Sequence, residues 1–191
     1  MKKKLLLISL VVICAALFVT GSLAYFTAED TAHNVITTGN VDIQVVETMV
    51  NEDGDEVEFP GEGIDGVMPG TSVSKIVRLE NIGKSDAWVR IKVDLAAKSA
   101  DGSELDKGIV TPDYDTETWT YGGGYYYYNE ILKPGDLTTA LFENVTFDKD
   151  MGNEYKSGEI SVIINAYAVQ SDNNPIPEGS DVTGVKGWPE S

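Results

Sequence analysis

Apolar and polar residues alternate along much of this chain, while the 3.6-residue repeat of an amphipathic helix is almost absent. Val41, Ile43 and Val45 alternate with Asp42 and Gln44. Val89, Ile91, Val93 and Leu95 alternate with Arg90, Lys92 and Asp94, which predicts a half-buried strand with a polar outer face. Val73, Val77 and Leu79 share one face, interrupted only by Lys75. Residues 125–132 and 140–147 are further strand candidates. In the last run, 159–169, Ile160, Val162, Ile164, Ala166 and Ala168 fall on one face, the pattern of a central strand.

Turn chemistry separates these runs. Met68-Pro69-Gly70-Thr71 and Lys133-Pro134-Gly135-Asp136 are matching Pro-Gly turns, each expected to open a strand. Proline presets the second turn position and glycine accepts the positive φ of the third. Seven to nine strands with short connections predict an all-β, jelly-roll-like sandwich of two antiparallel sheets over residues 40–170. Residues 51–65 hold seven acids and no base, and read as a solvated loop or hairpin tip. Residues 171–191 contain Pro175, Pro177, Pro189 and three glycines, and read as a tail or loosely packed cap.

The start of the chain follows different rules. Lys2, Lys3 and Lys4 precede an apolar run over 5–19 and then Thr20-Gly21-Ser22-Leu23-Ala24. That arrangement predicts a secretory signal peptide over 1–24, cleaved between Ala24 and Tyr25. The apolar run is shorter than the ~20 residues that span a bilayer. Cys14 follows the bulky Ile13 inside the run, unlike a lipoprotein signal.

Export changes the composition. The whole chain has 191 residues, 14 Lys+Arg, 31 Asp+Glu and a formal charge of -17. Losing three lysines and no acid deepens the charge to -20, and the single Cys leaves with the signal. The mature chain must therefore be held by packing and sheet pairing, with no disulfide. Its acidity disfavours nucleic acid and anionic lipid, so membrane contact is expected only through the signal before cleavage.

Little of the side-chain chemistry points to catalysis. His33 is the only histidine. A zinc protease helix needs two histidines four apart, and a Ser-His-Asp triad needs a histidine beside an activated serine. No Gly-x-Ser-x-Gly element accompanies any serine, and His33 is expected to be a solvent-exposed side chain. The many acids single out no glycosidase pair. Calcium is the one cofactor the loops suggest. Asp53 and Asp55 lie two apart, as do Asp148 and Asp150, with Glu159 at the twelfth place from Asp148. The loop glycine is one position early for an EF-hand, and strands rather than helices flank it. Asn144-Val145-Thr146 fits a glycosylation acceptor but falls inside a predicted strand. Tyr125-Tyr126-Tyr127-Tyr128 would send two rings to each face of a strand. Its outward pair is either a contact surface or part of an edge hairpin with one face covered.

The most specific pattern follows the signal. Ala24-Tyr25-Phe26-Thr27-Ala28-Glu29-Asp30-Thr31, then Asn34, then Gly39-Asn40-Val41-Asp42-Ile43 resembles the N-terminal signature of the TasA/camelysin family of secreted bacterial proteins. Met68-Pro69-Gly70-Thr71-Ser72-Val73 running to Asn81-Ile82-Gly83 is similar to a later block of that family, and Lys133-Pro134-Gly135-Asp136 matches more loosely. The resemblance implies cleavage by a dedicated signal peptidase and a jelly-roll fold. It also implies extracellular biofilm-matrix fibres built head to tail, with the N-terminal segment of one copy pairing as a strand in the next. Camelysin-type members are classed as metallopeptidases, but no zinc motif is present here. Residues 25–39 are then the assembly segment, with Tyr25, Phe26, Val35 and Ile36 as anchors in a neighbouring copy or, folded back, in their own. The expected protein is a non-enzymatic structural component of the bacterial matrix or cell surface, with itself as partner. The rivals are a secreted metal-dependent peptidase and a binding module that does not polymerise.

Overall fold

A computed structural model describes residues 26–28, 33–38, 40–61 and 63–189, with side chains from Asn34 onward. The described chain forms an all-β sandwich, and its only helical pieces are 3₁₀ turns such as Lys107–Ile109 and Val182–Gly184. The strands are β1 (Phe26–Ala28), β2 (His33–Thr38), β3 (Ile43–Val50), β4 (Glu56–Glu58), β5 (Ile64–Val67), β6 (Ser72–Ser74) and β7 (Ile76–Asn81). They continue with β8 (Ala87–Lys98), β9 (Val110–Pro112), β10 (Trp119–Gly122), β11 (Tyr125–Tyr128), β12 (Asn144–Phe147) and β13 (Glu159–Gln170). Thirteen strands exceed the expected seven to nine because the periodic runs are split and several three-residue strands lie in acid-rich or Pro-rich stretches that carry no alternation.

The largest sheet runs β10-β11-β8-β13-β1-β5, with β2 also on β13. Two smaller sheets run β6-β12-β9 and β4-β3-β7. Three sheets thus stand where two were expected. The antiparallel reading is also corrected, since β1 and β2 both pair parallel to β13.

The central pair is β8 with β13, antiparallel over their full length from Glu159↔Lys98 to Gln170↔Ala87. Val89 and Ile91 of β8 and Ile164, Ala166 and Ala168 of β13 are fully buried. They meet Val77 and Leu79 of β7, Ile43 of β3, and Val145 and Phe147 of β12 in one core. The alternation read from the sequence is therefore the inner face of the large sheet.

Lys75 explains why one run became two strands. β6 pairs with β12 and β7 pairs with β3, so the chain changes sheet at Lys75. The Lys75 side chain is 5% exposed, and its Nζ lies 2.7 Å from Glu47 Oε2 and 3.6 Å from the centre of the Phe59 ring. A buried charge persists only when paired, and this one sits at the corner where two sheets separate.

Both Pro-Gly sequences are turns, with Gly70 at φ +75 and Gly135 at φ +82. Thr71 N donates to Met68 O at 3.2 Å, and Asp136 N to Lys133 O at 3.0 Å. The first opens β6 as expected. The second opens only a single bridge, Leu137 to Glu80. The acidic segment does form a hairpin tip, because β4 returns along β3 and Arg78 pairs with Glu56.

Asp113, just after β9, fixes the start of β12. Its carboxylate accepts the Glu143 and Asn144 backbone amides at 2.9 and 2.8 Å and the Asn144 side-chain amide at 2.9 Å. Partial burial pushes its pKa up, but these donors outweigh it and hold the pKa below the usual aspartate value of 3.8. A depressed folded pKa gives stability that is present above the unfolded value and lost as the pH falls through the folded one. Asp113→Ala is expected to lower stability by about 1 kcal/mol at neutral pH, a small effect because solvent screens the site. Urea melts of both proteins should differ by a constant amount down to about pH 4 and converge below it.

Candidate assembly edge

The chain's first strands lie along its last. Thr27 and Ala28 of β1 pair with Glu159 and Ile160, and His33–Thr38 of β2 pairs with residues 164–169. The N-terminal segment thus lines one edge of β13 while β8 lines the other. Ala28 and His33 are five positions apart, whereas their partners Ile160 and Ile164 are four apart, so the register shifts by one between β1 and β2. β5 covers the far side of β1, but the far side of β2 has no strand partner among the described residues.

β2 is held more by its backbone than by its side chains. Val35 is 41% exposed and Ile36 is half-buried, and neither belongs to a buried core cluster. Two side-chain hydrogen bonds add to the ladder. Asn34 Nδ2 donates to Asn165 Oδ1 at 2.8 Å, and Thr38 Oγ1 donates to the Gly187 carbonyl at 3.3 Å. Asn165 Nδ2 in turn donates to Asp94 Oδ2 at 3.0 Å, and Lys92 Nζ lies 3.1 Å from the same oxygen. This polar row crosses β2, β13 and β8. The Asp94 carboxylate, by hydrogen bond first and by charge second, holds the Lys92 ammonium above its usual pKa. In a strand with a weak apolar pattern, such side-chain pairing helps to fix register.

The outer face of the same sheet is covered at the Val169 end. Trp88, Tyr127, Val169, Val182 and Val185 form a second buried cluster, with Tyr125 and Trp188 packed on it. Arg90 is 8% exposed at its centre. Its guanidinium lies 3.8 Å from the Tyr125 ring centre, 4.6 Å from Trp188, 5.1 Å from Tyr167 and 5.8 Å from Tyr127. Arg90 Nη1 also donates to Tyr127 Oη at 3.2 Å. Among the described residues no carboxylate forms an ion pair with Arg90, so π-faces take the place of a counter-ion.

Two expectations are sharpened here. The stretch read as a tail or cap runs exposed over 175–181 and packs on the sheet from Val182 to Trp188. The tyrosine run does alternate, with Tyr126 and Tyr128 on the core and Tyr125 and Tyr127 on the outer cluster. Its outward pair is covered rather than presented to a partner, so both faces of the edge hairpin are occupied. β10 and β11 meet through Gly123-Gly124, both at positive φ, the geometry of a two-residue hairpin loop. Tyr121 is the exposed ring of that hairpin, at 62%.

The remaining predicted site residues disperse. Ala24 and Tyr25 lie outside the described residues, as do the side chains of Phe26 and His33. Asn51 Oδ1 accepts the backbone amides of Asp53 and Asp55 at 3.0 and 2.9 Å, in an exposed turn. Asp148 accepts the Asp150 amide at 2.8 Å, while the Asp150 carboxylate pairs with Lys149 at 2.7 Å. Glu159 sits in β13 and accepts from Ser161 Oγ at 3.0 Å. Among the described residues, no three His, Cys, Asp or Glu side chains group as metal ligands. Asn144 of the glycosylation-like triplet is engaged in β12 by Asp113. Among the same residues no helix is long and apolar enough to cross a membrane.

β2 thus lies on the edge of β13 through backbone pairing, and at its C-terminal end the Thr38 hydroxyl donates to the Gly187 carbonyl of the cap. No family model, curated protein or solved structure matches the chain.

Proposed function

We propose that this protein is a secreted, non-enzymatic structural protein that assembles head to tail into extracellular matrix fibres by exchanging β2 between copies. The observation that carries this reading is how β2 is seated. It satisfies the β13 edge through backbone pairing while leaving its apolar side chains outside the core. A strand bound in this way forms the same contacts whether it comes from its own chain or from another. If each copy passes its strand to the next, the contact is heterologous and does not close, which gives a filament. The TasA/camelysin-like residues around the predicted cleavage point support the same conclusion.

Charge sets the conditions. A mature chain at -20 repels its copies, so assembly is expected to be promoted by salt, low pH or divalent cations. The test is light scattering and electron microscopy of purified residues 25–191 under those conditions, beside a form lacking 25–38. Fibres from the first and none from the second are expected. A synthetic peptide of residues 25–38 should suppress fibre growth by occupying the β13 edge. Fibres that persist without 25–38, or a chain that stays monomeric in all three conditions, overturn the proposal.

A further inference from the structure

The C-terminal cap bonds β2 at Thr38 and buries Val182 and Val185 on the sheet's outer face. Trp88 Nε1 donates to the Asn174 carbonyl at 2.8 Å, and Asn174 Nδ2 donates to the Gln170 carbonyl at 2.8 Å. These bonds turn the chain back over the sheet as it leaves β13. Val182 and Val185 then bury themselves against Trp88, Tyr127 and Val169. The Trp188 ring meets Tyr127 edge-on at 5.7 Å and lies beside the Arg90 guanidinium. Between Val185 and Trp188 stands Gly187, whose carbonyl accepts the hydrogen bond from the Thr38 hydroxyl. Gly187 has φ +79, and a Cβ there would lie 2.7 Å from Asn174 Oδ1, so glycine lets the backbone reach Thr38 at this point.

The cap is also separable from the core. Its buried side chains form their own cluster on the opposite face of the sheet from the main core. Lifting it would expose Trp88, Tyr127 and Val169 without opening the sandwich. β2 itself has no core anchor, and Thr38 pairs with Val169, the residue the cap covers. A strand whose described side chains lie outside the buried clusters is thus bonded at its C-terminal end by a segment that packs on the sheet beside aromatic rings and one arginine.

We infer that residues 171–189 are a latch that keeps β2 on its own β13, and that opening this latch frees β2 for exchange. The inference rests on the assignment of β2 as the exchanging segment, but its first readout does not require assembly. Hydrogen exchange of the full mature chain is followed at β2, β8 and β13 for the unaltered protein, Trp188→Ala, Thr38→Val and the exposed control Lys186→Ala. Trp188→Ala should speed exchange of the β2 amides by about tenfold or more, the size expected from losing an aromatic pair and a cation–π contact. Thr38→Val keeps the branched shape, removes only the bond to Gly187, and should speed β2 by a smaller factor. Lys186→Ala should change nothing, and the β8–β13 amides should stay protected in all forms, showing that the sandwich is intact.

Unchanged β2 exchange in both Trp188→Ala and Thr38→Val overturns the latch. Should Trp188→Ala not fold, Thr38→Val alone decides, and unchanged β2 exchange there is sufficient to reject it. Fibre formation is the second readout, where faster β2 exchange should shorten the lag. Faster β2 exchange with no fibres under any condition leaves the latch standing and removes the fibre proposal, so the two can fail separately.

Discussion

Phe142→Ala is expected to destabilise the fold by about 3–5 kcal/mol, the range for deleting a large buried ring. Phe142 is 1% exposed, packs edge-on to Tyr114 at 5.8 Å, and its carbonyl accepts the Val77 amide at 3.2 Å. It lies where the large sheet meets β7, so truncation leaves a cavity bordered by two sheets that cannot both move inward. Native domains hold only about 5–15 kcal/mol in total, so the substitution removes a large share of the stability. Denaturant melts should show a lower midpoint with an unchanged slope. Met68→Ala is the contrast, since Met68 is 54% exposed. It should stay within about 0.5 kcal/mol of the unaltered protein. A small effect at Phe142 would mean that the core closes over the gap, contrary to the packing described.

Lys75→Met alone is expected to be comparably damaging, about 3–5 kcal/mol, because it takes a cation from beside the Glu47 carboxylate in a nearly dry site. Glu47 is 8% exposed at its side chain, and the Lys75 ammonium lies 2.7 Å from it. Changing both, Lys75→Met with Glu47→Leu, should restore most of the loss, since two apolar side chains need no counter-ion. A double-mutant cycle from urea melts measures the coupling. If the double variant is as unstable as the single ones added together, the pair is not acting as a unit and the ion-pair account of this corner fails. The measurement also separates charge from shape, because methionine fills much of the space of the lysine stem.

The parts of the fold that could be read from the sequence are those where one face is wet. Along β8 and β13 the inner residues Val89, Ile91, Ile164 and Ala166 stand out because their neighbours are polar. Lys75 was visible as an interruption, though not as the point where the chain changes sheet. The cap was hidden by composition, since its prolines and glycines suggest a loose tail while Val182, Val185 and Trp188 supply a buried stripe three residues apart. A second signal lay on the face read as polar, where Trp88, Tyr167 and Val169 are too apolar for solvent. The placement of β2 was beyond periodicity altogether. His33-Asn34-Val35-Ile36-Thr37-Thr38 has no strict alternation, and its partner is 131 positions away. Parallel pairing at that distance depends on which edge stays vacant, a property of the whole fold and not of either segment. At the calcium candidates the structure shows local turn bonding: the Asp53 and Asp55 amides donate to Asn51 Oδ1, Asp148 accepts the Asp150 amide, and Asp150 pairs with Lys149.

The pairing of β2 with β13 has a temporal meaning. A chain made from its N-terminus presents residues 33–38 long before residues 164–169 exist, so β2 cannot take its place on β13 until synthesis is nearly complete. Contacts of such long sequence separation also form slowly once the chain is complete. The ladder between β2 and β13 can therefore close only late, once residues 164–169 have been made.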